Sequence, residues 1–401
     1  MRNDRARVRR RHPIARAILV VTALVLACAA SAVGARLLGD DIEPRDEAAF
    51  YAAPAGATDG PAGTLVRAAE LVGVPFDARA WRVMYRTTDV HGAPVLSTGI
   101  VVSPREGAPR EGRTVLAWGH PTTGAAADCA PSRAFDPFEL IEGMRALLDR
   151  GYTIAATDYV GMGTAGPDSY LVGDTGGNAV LDAVRAAREL SDAQASNRVV
   201  LWGHSQGGQA VLFAAQRAAA YAPELTIEAV AVAAPAADLT SLLSAHLDDI
   251  SGVTIGAYAF TAYAGVYADR GADLDGILTP AAQEILPEMN GLCLLTDISR
   301  LHRIGQPVVG RFVTADPATV QPWAGILAEN SAGGAAFAAP LFVAQGLDDT
   351  LVVPSATEAF VAHERALGID VEFHPVRDAD HGTIAYLALP ALLEWLDAHR
   401  L

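Results

Sequence analysis

A serine hydroxyl is a weak nucleophile until a base takes its proton. The chemistry of this chain therefore depends on where serine, imidazole and carboxylate sit in usable settings. One serine stands apart. In Arg198-Val-Val-Leu-Trp-Gly-His-Ser-Gln-Gly-Gly-Gln209, the apolar run Val199–Trp202 reads as a buried strand and stops at Gly203. A helical pattern begins at Gln206 and continues through Val211, Leu212 and Phe213. Between them lies Gly203-His-Ser-Gln-Gly207, a G-x-S-x-G elbow, in which a strained turn lifts the serine oxygen clear of its sheet. The glycines remove side chains that would collide where strand and helix approach. The helix start behind the serine presents free N–H groups to developing negative charge. Ser205 is therefore the expected nucleophile; the alternative is an ordinary strand–turn–helix connection.

In this arrangement the partners follow in the order serine, acid, histidine. Gly346-Leu-Asp-Asp-Thr350 follows an expected strand ending at Gln345, and Asp378-Ala-Asp-His-Gly-Thr383 follows one ending near Pro375. His381 is the expected base, and Asp349 the carboxylate that holds its tautomer, with Asp348 competing. Asp378 and Asp380 lie too near His381 in sequence to orient it. His363 falls in an expected helix, His374 in a strand and His204 in the elbow, so all three read as structural. An oxyanion needs two backbone donors. Gln206 supplies one, and the loop Gly119-His-Pro-Thr-Thr-Gly124 the other, with Thr122 favoured and Thr123 the alternative.

The positioning elements alternate. Strands are expected at Thr114–Gly119, Thr153–Asp158, the elbow run, Thr226–Pro235, Pro340–Gln345 and Val371–Pro375. Helices are expected at Phe138–Arg150, Asn178–Leu190, Ser355–Leu367 and Leu389–His399, with a short one at Thr64–Val72. Alternation implies an α/β, doubly wound, mainly parallel sheet. Trp81–Thr88 and Val95–Val102 read as an antiparallel pair ahead of it. Residues 36–62 read as an extended arm. Residues 238–338 interrupt the alternation with a mostly helical pattern, expected to cap the C-terminal strand ends where ligands bind such sheets. The α/β core is then 36–237 and 339–401.

Composition narrows the function. The net charge is −16; with the seven arginines and one aspartate of residues 1–35 set aside, the remainder carries −22, which argues against nucleic acid as a partner. Residues 1–35 combine an arginine-rich start with an apolar run from Ala17 and small-x-small sites at Ala30-Ser-Ala32 and Val33-Gly-Ala35. They read as a signal peptide, with an uncleaved membrane anchor through 17–35 or lipid attachment at Cys28 as alternatives. The remaining cysteines, Cys129 and Cys293, are an even pair in an exported chain and read as a disulfide. No cysteine and histidine spacing suits a metal, and no cofactor is expected.

The motifs together resemble the secretory lipase family, bacterial and fungal α/β-hydrolases related to Candida lipase A. The resemblance rests on Trp118-Gly-His-Pro-Thr-Thr-Gly124, Cys129-Ala-Pro-Ser132, Asp158-Tyr-Val-Gly-Met-Gly163, Ser169-Tyr-Leu-Val-Gly173, the elbow and Gly346-Leu-Asp-Asp-Thr-Leu-Val352. It implies an α/β-hydrolase fold with a helical cap and secreted hydrolysis of acylglycerols or other carboxylic esters. It also implies the acid at Asp349 and pairing of Cys129 with Cys293. Bacterial members usually show His-Gly-Thr-Thr-Gly where this chain has Pro121, a residue that fixes φ and lacks an N–H. A short-chain or aryl esterase, or an acyltransferase, would carry the same triad. A peptidase is a further alternative, and a non-catalytic binding protein on the same scaffold is the rival of another class.

Overall fold

The computed structural model describes residues 43–401, so the expectations for residues 1–35 lie outside the described part. The chain divides into two units, Met1–Ala52 and Ala53–Leu401. The described part of the first contains helix α1 (Glu43–Tyr51), where an extended arm was expected. Its Glu47-Ala-Ala run favours helix on intrinsic propensity.

The second unit is built on a nine-stranded sheet. Its strands are β1 (Leu65–Leu71), β2 (Ala78–Thr88), β3 (Pro94–Pro104), β4 (Arg113–Gly119), β5 (Thr153–Val160), β6 (Ala195–His204), β7 (Thr226–Ala233), β8 (Leu341–Gly346) and β9 (Val371–Val376). The spatial order is β1-β2-β3-β5-β4-β6-β7-β8-β9. Strands β1, β2, β3 and β5 pair antiparallel, and every pairing from β5 through β9 is parallel. β1 corrects the expected helix at Thr64–Val72. Its Arg67-Ala-Ala-Glu-Leu71 segment favours helix locally, but β2 offers an open edge, and the ladder from Ala68↔Val83 to Leu71↔Ala80 takes the segment instead.

Both faces of the sheet are covered, as period-two burial requires. Val199 and Leu201 of β6 pack with α3 (Gly173–Glu189), α4 (Gln206–Tyr221) and α10 (Pro354–Ala366). Val200 and Trp202 point the other way, into a core shared with α2 (Met144–Asp149) and α11 (Ile384–Ala398). The helix expected at Phe138–Arg150 is confined to α2, because Gly143 takes a left-handed φ of 90° and ends the preceding turns. Gly151 follows α2 with φ 88°, the left-handed conformation that closes a helix. Helix α3 begins one turn before its expected start, and α11 begins at Ile384 rather than Leu389.

Between β7 and β8 lie five helices: α5 (Leu239–Ala245), α6 (Ile250–Val266), α7 (Pro280–Asn290), α8 (Leu294–Gly305) and α9 (Trp323–Glu329). They surround a third core in which Val253, Tyr258 and Phe260 of α6 meet Met289, Leu301 and Trp323. Tyr170, Leu171 and Val172 from the segment before α3 join the same core. Among the described residues, no helix is long and apolar enough to cross a membrane.

Candidate active site

The turn between β6 and α4 carries Ser205 with φ 54° and ψ −116°. An L-residue rarely adopts this conformation, and such strain is concentrated at functional sites. The flanking glycines are sterically required. A Cβ on Gly203 would stand 2.2 Å from the Gly207 carbonyl oxygen, and one on Gly207 would stand 1.9 Å from that of Gly119. The elbow therefore locks the ends of β4 and β6 against the first turn of α4.

Three side chains meet here. The Ser205 hydroxyl lies 2.9 Å from His381 Nε2, and the His381 Nδ1–H donates to Asp349 Oδ2 at 2.8 Å. Asp349 is 3% exposed, whereas its neighbour Asp348 faces solvent. The second carboxylate oxygen of Asp349 accepts the backbone N–H groups of Leu351 and Val352 at 2.8 and 2.9 Å. These bonds fix the carboxylate as the orienter of the ring. His246 supports the loop from the inserted segment, with Nε2 2.9 Å from the Leu351 carbonyl and Nδ1 2.5 Å from Asp249.

The acid and histidine loops are laced together. The Leu347 N–H donates to Val376 O at 2.9 Å, and the Asp348 N–H to Ala379 O at 3.0 Å. Asp380 is exposed and turned into its own loop, where the Thr383 hydroxyl and N–H hold its carboxyl below the usual range. Asp378 is also exposed. His363 is bonded to Gly333 O, and His374 stacks on Phe342, so neither enters the site.

Gln206 is the first residue of α4, and Thr122 stands on the loop after β4; both line one cavity with Ser205 and His381. Among the described residues, the backbone N–H groups of Gln206 and Thr122 have no hydrogen-bond acceptor. The Thr122 hydroxyl is engaged with the Tyr170 hydroxyl at 2.7 Å. Thr123 does not line the cavity, and its carbonyl accepts the Leu294 N–H at 2.8 Å. Pro121 lies in the cavity wall, and its carbonyl faces His120 Nδ1 at 2.7 Å. The loop is pinned further by the Tyr159 hydroxyl, which donates to His120 O at 3.0 Å. Cys129 and Cys293 form a disulfide with Cα atoms 5.2 Å apart, tying this region to the start of α8.

The cavity has a volume of about 270 Å³, and Leu140, Leu171, Leu242, Ile255, Leu294 and Val352 give it an apolar wall. Glu142 and Tyr170 also line it, and neither was singled out from sequence. Tyr170 lies in the Ser169–Gly173 motif, which offered a signal; burial pushes its hydroxyl pKa up. Glu142 had no such signal. It accepts from His204 Nδ1 at 3.0 Å, and the His204 and His381 rings lie 5.1 Å apart. Among the described residues, no cluster of three or more His, Cys, Asp or Glu could hold a metal.

The arrangement brings a serine hydroxyl, an imidazole, a carboxylate and two backbone N–H groups to one apolar cavity, a set of groups suited to acyl transfer. The family model described as "Secretory lipase" matches residues 140–400. Lipase A in its closed state, from Candida antarctica, is a similar solved structure, with TM-score 0.73, 20% identity and coverage of 87% of this chain and 85% of that one. A rice cell wall degrading esterase from Xanthomonas oryzae aligns with TM-score 0.69 and 19% identity over 84% of this chain and 99% of that one. In sequence, a Mycobacterium tuberculosis protein (strain CDC 1551 / Oshkosh) named as a probable inactive lipase is 24% identical, over 86% of this chain and 80% of its own length. Lipase 5 of Candida albicans (strain SC5314 / ATCC MYA-2876) is 26% identical over 79% and 71%. With an α/β-hydrolase sheet carrying these residues and a family match over most of its length, the chain belongs to the secretory lipase family.

Proposed function

We propose that this protein is an exported serine hydrolase that cleaves carboxylic esters through an acyl-enzyme on Ser205. The observation that carries this reading is the unbroken Ser205–His381–Asp349 hydrogen-bond relay at the wall of an apolar cavity. His381 Nε2 takes the Ser205 proton as Oγ bonds to the ester carbonyl carbon. Asp349 stabilises the resulting imidazolium. The oxyanion is received by the N–H groups of Gln206 and Thr122. As the carbon–oxygen bond to the alcohol breaks, His381 returns the proton to the leaving alcohol. Water then attacks the acyl-enzyme, giving its proton to His381, and release of the acid returns it to Ser205. No step calls for a cofactor.

Pro121 does not disable this hole in our reading, because the donor is the residue after it. Residues 238–338 act as the cap on the sheet, a reading supported by the hydrophobic core their helices build and by Leu242, Ile255 and Leu294 in the cavity wall. The disulfide supports an oxidising compartment outside the cytoplasm. The rival, a non-catalytic relative, is disfavoured because every triad role has an occupant.

The cavity, about 270 Å³, falls just under the roughly 300–1,000 Å³ of typical small-ligand sites. It favours short and medium acyl chains. A panel of acetate, butyrate, octanoate and palmitate esters should show best kcat/KM at butyrate or octanoate and none with Ser205→Ala. Equal activity in the variant would overturn the assignment, and a palmitate optimum would overturn the chain-length reading.

A further inference from the structure

The acyl-transfer scheme leaves one buried charge unused. Glu142 stands on the turn before α2 and is 4% exposed; His204, immediately before the serine, is 2% exposed. The His204 Nδ1 contact to Glu142 Oε1 is an N–H donating to a carboxylate. Among the described residues, His204 Nε2 and Glu142 Oε2 are both buried without a partner. This pattern determines where the protons lie. A proton on Nε2 would create a buried N–H with no acceptor, and orphaned buried donors are rarer than under-used acceptors. The hydrogen bonding therefore favours an Nδ1–H ring with Glu142 as its acceptor.

We propose that Glu142 is a positioning residue: it fixes His204 against the His381 ring and supplies the buried negative charge that favours the imidazolium formed there during acyl transfer. The proposal rests on the serine-hydrolase reading of the same site. Ring centroids of His204 and His381 are 5.1 Å apart, with planes inclined at 45°. The Glu142 backbone is anchored as well, since its carbonyl accepts the Trp202 indole N–H at 3.1 Å. A charge held by buried hydrogen bonds acts on its neighbour more strongly than a solvated one.

The other titratable groups facing this charge come from four directions. His120, after β4, has its proton affinity lowered by burial and raised by Asp158 and Glu142. Tyr386 of α11 has its hydroxyl pKa raised, by burial first and then by Glu142 and Glu139. His381 itself is bonded to Asp349, and Glu139 shares the turn with Glu142. Asp349 thus meets the His381 ring by contact, and Glu142 stands behind it through His204.

The test compares kcat/KM against pH for wild type, Glu142→Gln and Glu142→Asp on a butyrate ester. The base must be neutral to accept the serine proton. Removing a nearby negative charge makes imidazolium less stable, so the acid limb in Glu142→Gln should move to lower pH, with kcat down about tenfold and KM within about twofold. Glu142→Asp should restore the wild-type limb. An unmoved limb with unchanged kcat in Glu142→Gln overturns the proposal, as does a loss confined to KM. Should the variant fail to fold, imidazole nitrogen chemical shifts in the wild-type protein decide: His204 must report a neutral Nδ1–H ring at neutral pH, and a cation there overturns the proposal. Labelling of Ser205 by a fluorophosphonate separates the two readings. Labelling with an unmoved limb refutes only the role of Glu142, and absence of labelling refutes both.

Discussion

Two histidines, each bonded to a carboxylate, line one cavity and differ in where they lead. In His381–Asp349 the carboxylate is buried, but the imidazole keeps 20% of its side chain exposed, and Nε2 meets Ser205. In His204–Glu142 both side chains are at most 5% exposed, and Nε2 meets nothing among the described residues. In our proposal the first pair carries a proton and the second holds a fixed charge. An imidazole and a carboxylate thus serve in two settings, and access and the third partner distinguish them.

The largest effects should come from breaking the first pair. Asp349→Asn keeps the volume but removes the charge that fixes the ring, and should lower kcat by about 10⁴-fold. Asp348→Asn, at an exposed position, should stay within about twofold, close to the small effects of ordinary surface changes. The reverse result in steady-state kinetics would transfer the acid role to Asp348. Glu142→Gln should fall between them, with its signature in the acid limb.

A third buried carboxyl, Glu364 of α10, sharpens the contrast because it lies outside the cavity. It is 0% exposed and both its oxygens lack partners among the described residues. Burial pushes its pKa up to about 7, against a smaller lowering by His363. The sign follows directly. With the folded value above the unfolded one, stability is full below the ordinary carboxyl range and declines as pH rises toward about 7. Glu364→Gln should abolish that decline and stabilise the protein by up to about 2 kcal/mol above neutrality, with kcat unchanged. Urea unfolding across pH would reveal it. An identical pH dependence in wild type and variant would remove Glu364 from the account.

The two pairs were not equally legible in the sequence. Ser205, the Asp348–Asp349 pair and His381 each follow a strand in the required order, and spacing alone brings them forward. Asp349 over Asp348 took the resemblance to support it, because adjacent carboxylates on a loop look alike until one is buried. Glu142 is 62 residues from His204 in sequence and sits in a segment that reads as continuous helix. The left-handed Gly143 breaks that helix and leaves the carboxylate on a turn facing the elbow. The parallel strands were likewise legible from their apolar runs. β1 was not, since its residues favour helix and only the open edge of β2, the next strand in the chain, makes them a strand.

The central claim is that Ser205 carries the acyl group. Stopped-flow hydrolysis of a p-nitrophenyl butyrate, quenched with acid and mapped by mass spectrometry, tests it most directly. A burst of nitrophenol and a butyryl group on the peptide containing Ser205 are expected, with neither in Ser205→Ala. Turnover in wild type with Ser205 unmodified throughout, or an acyl group trapped on another residue, would contradict it.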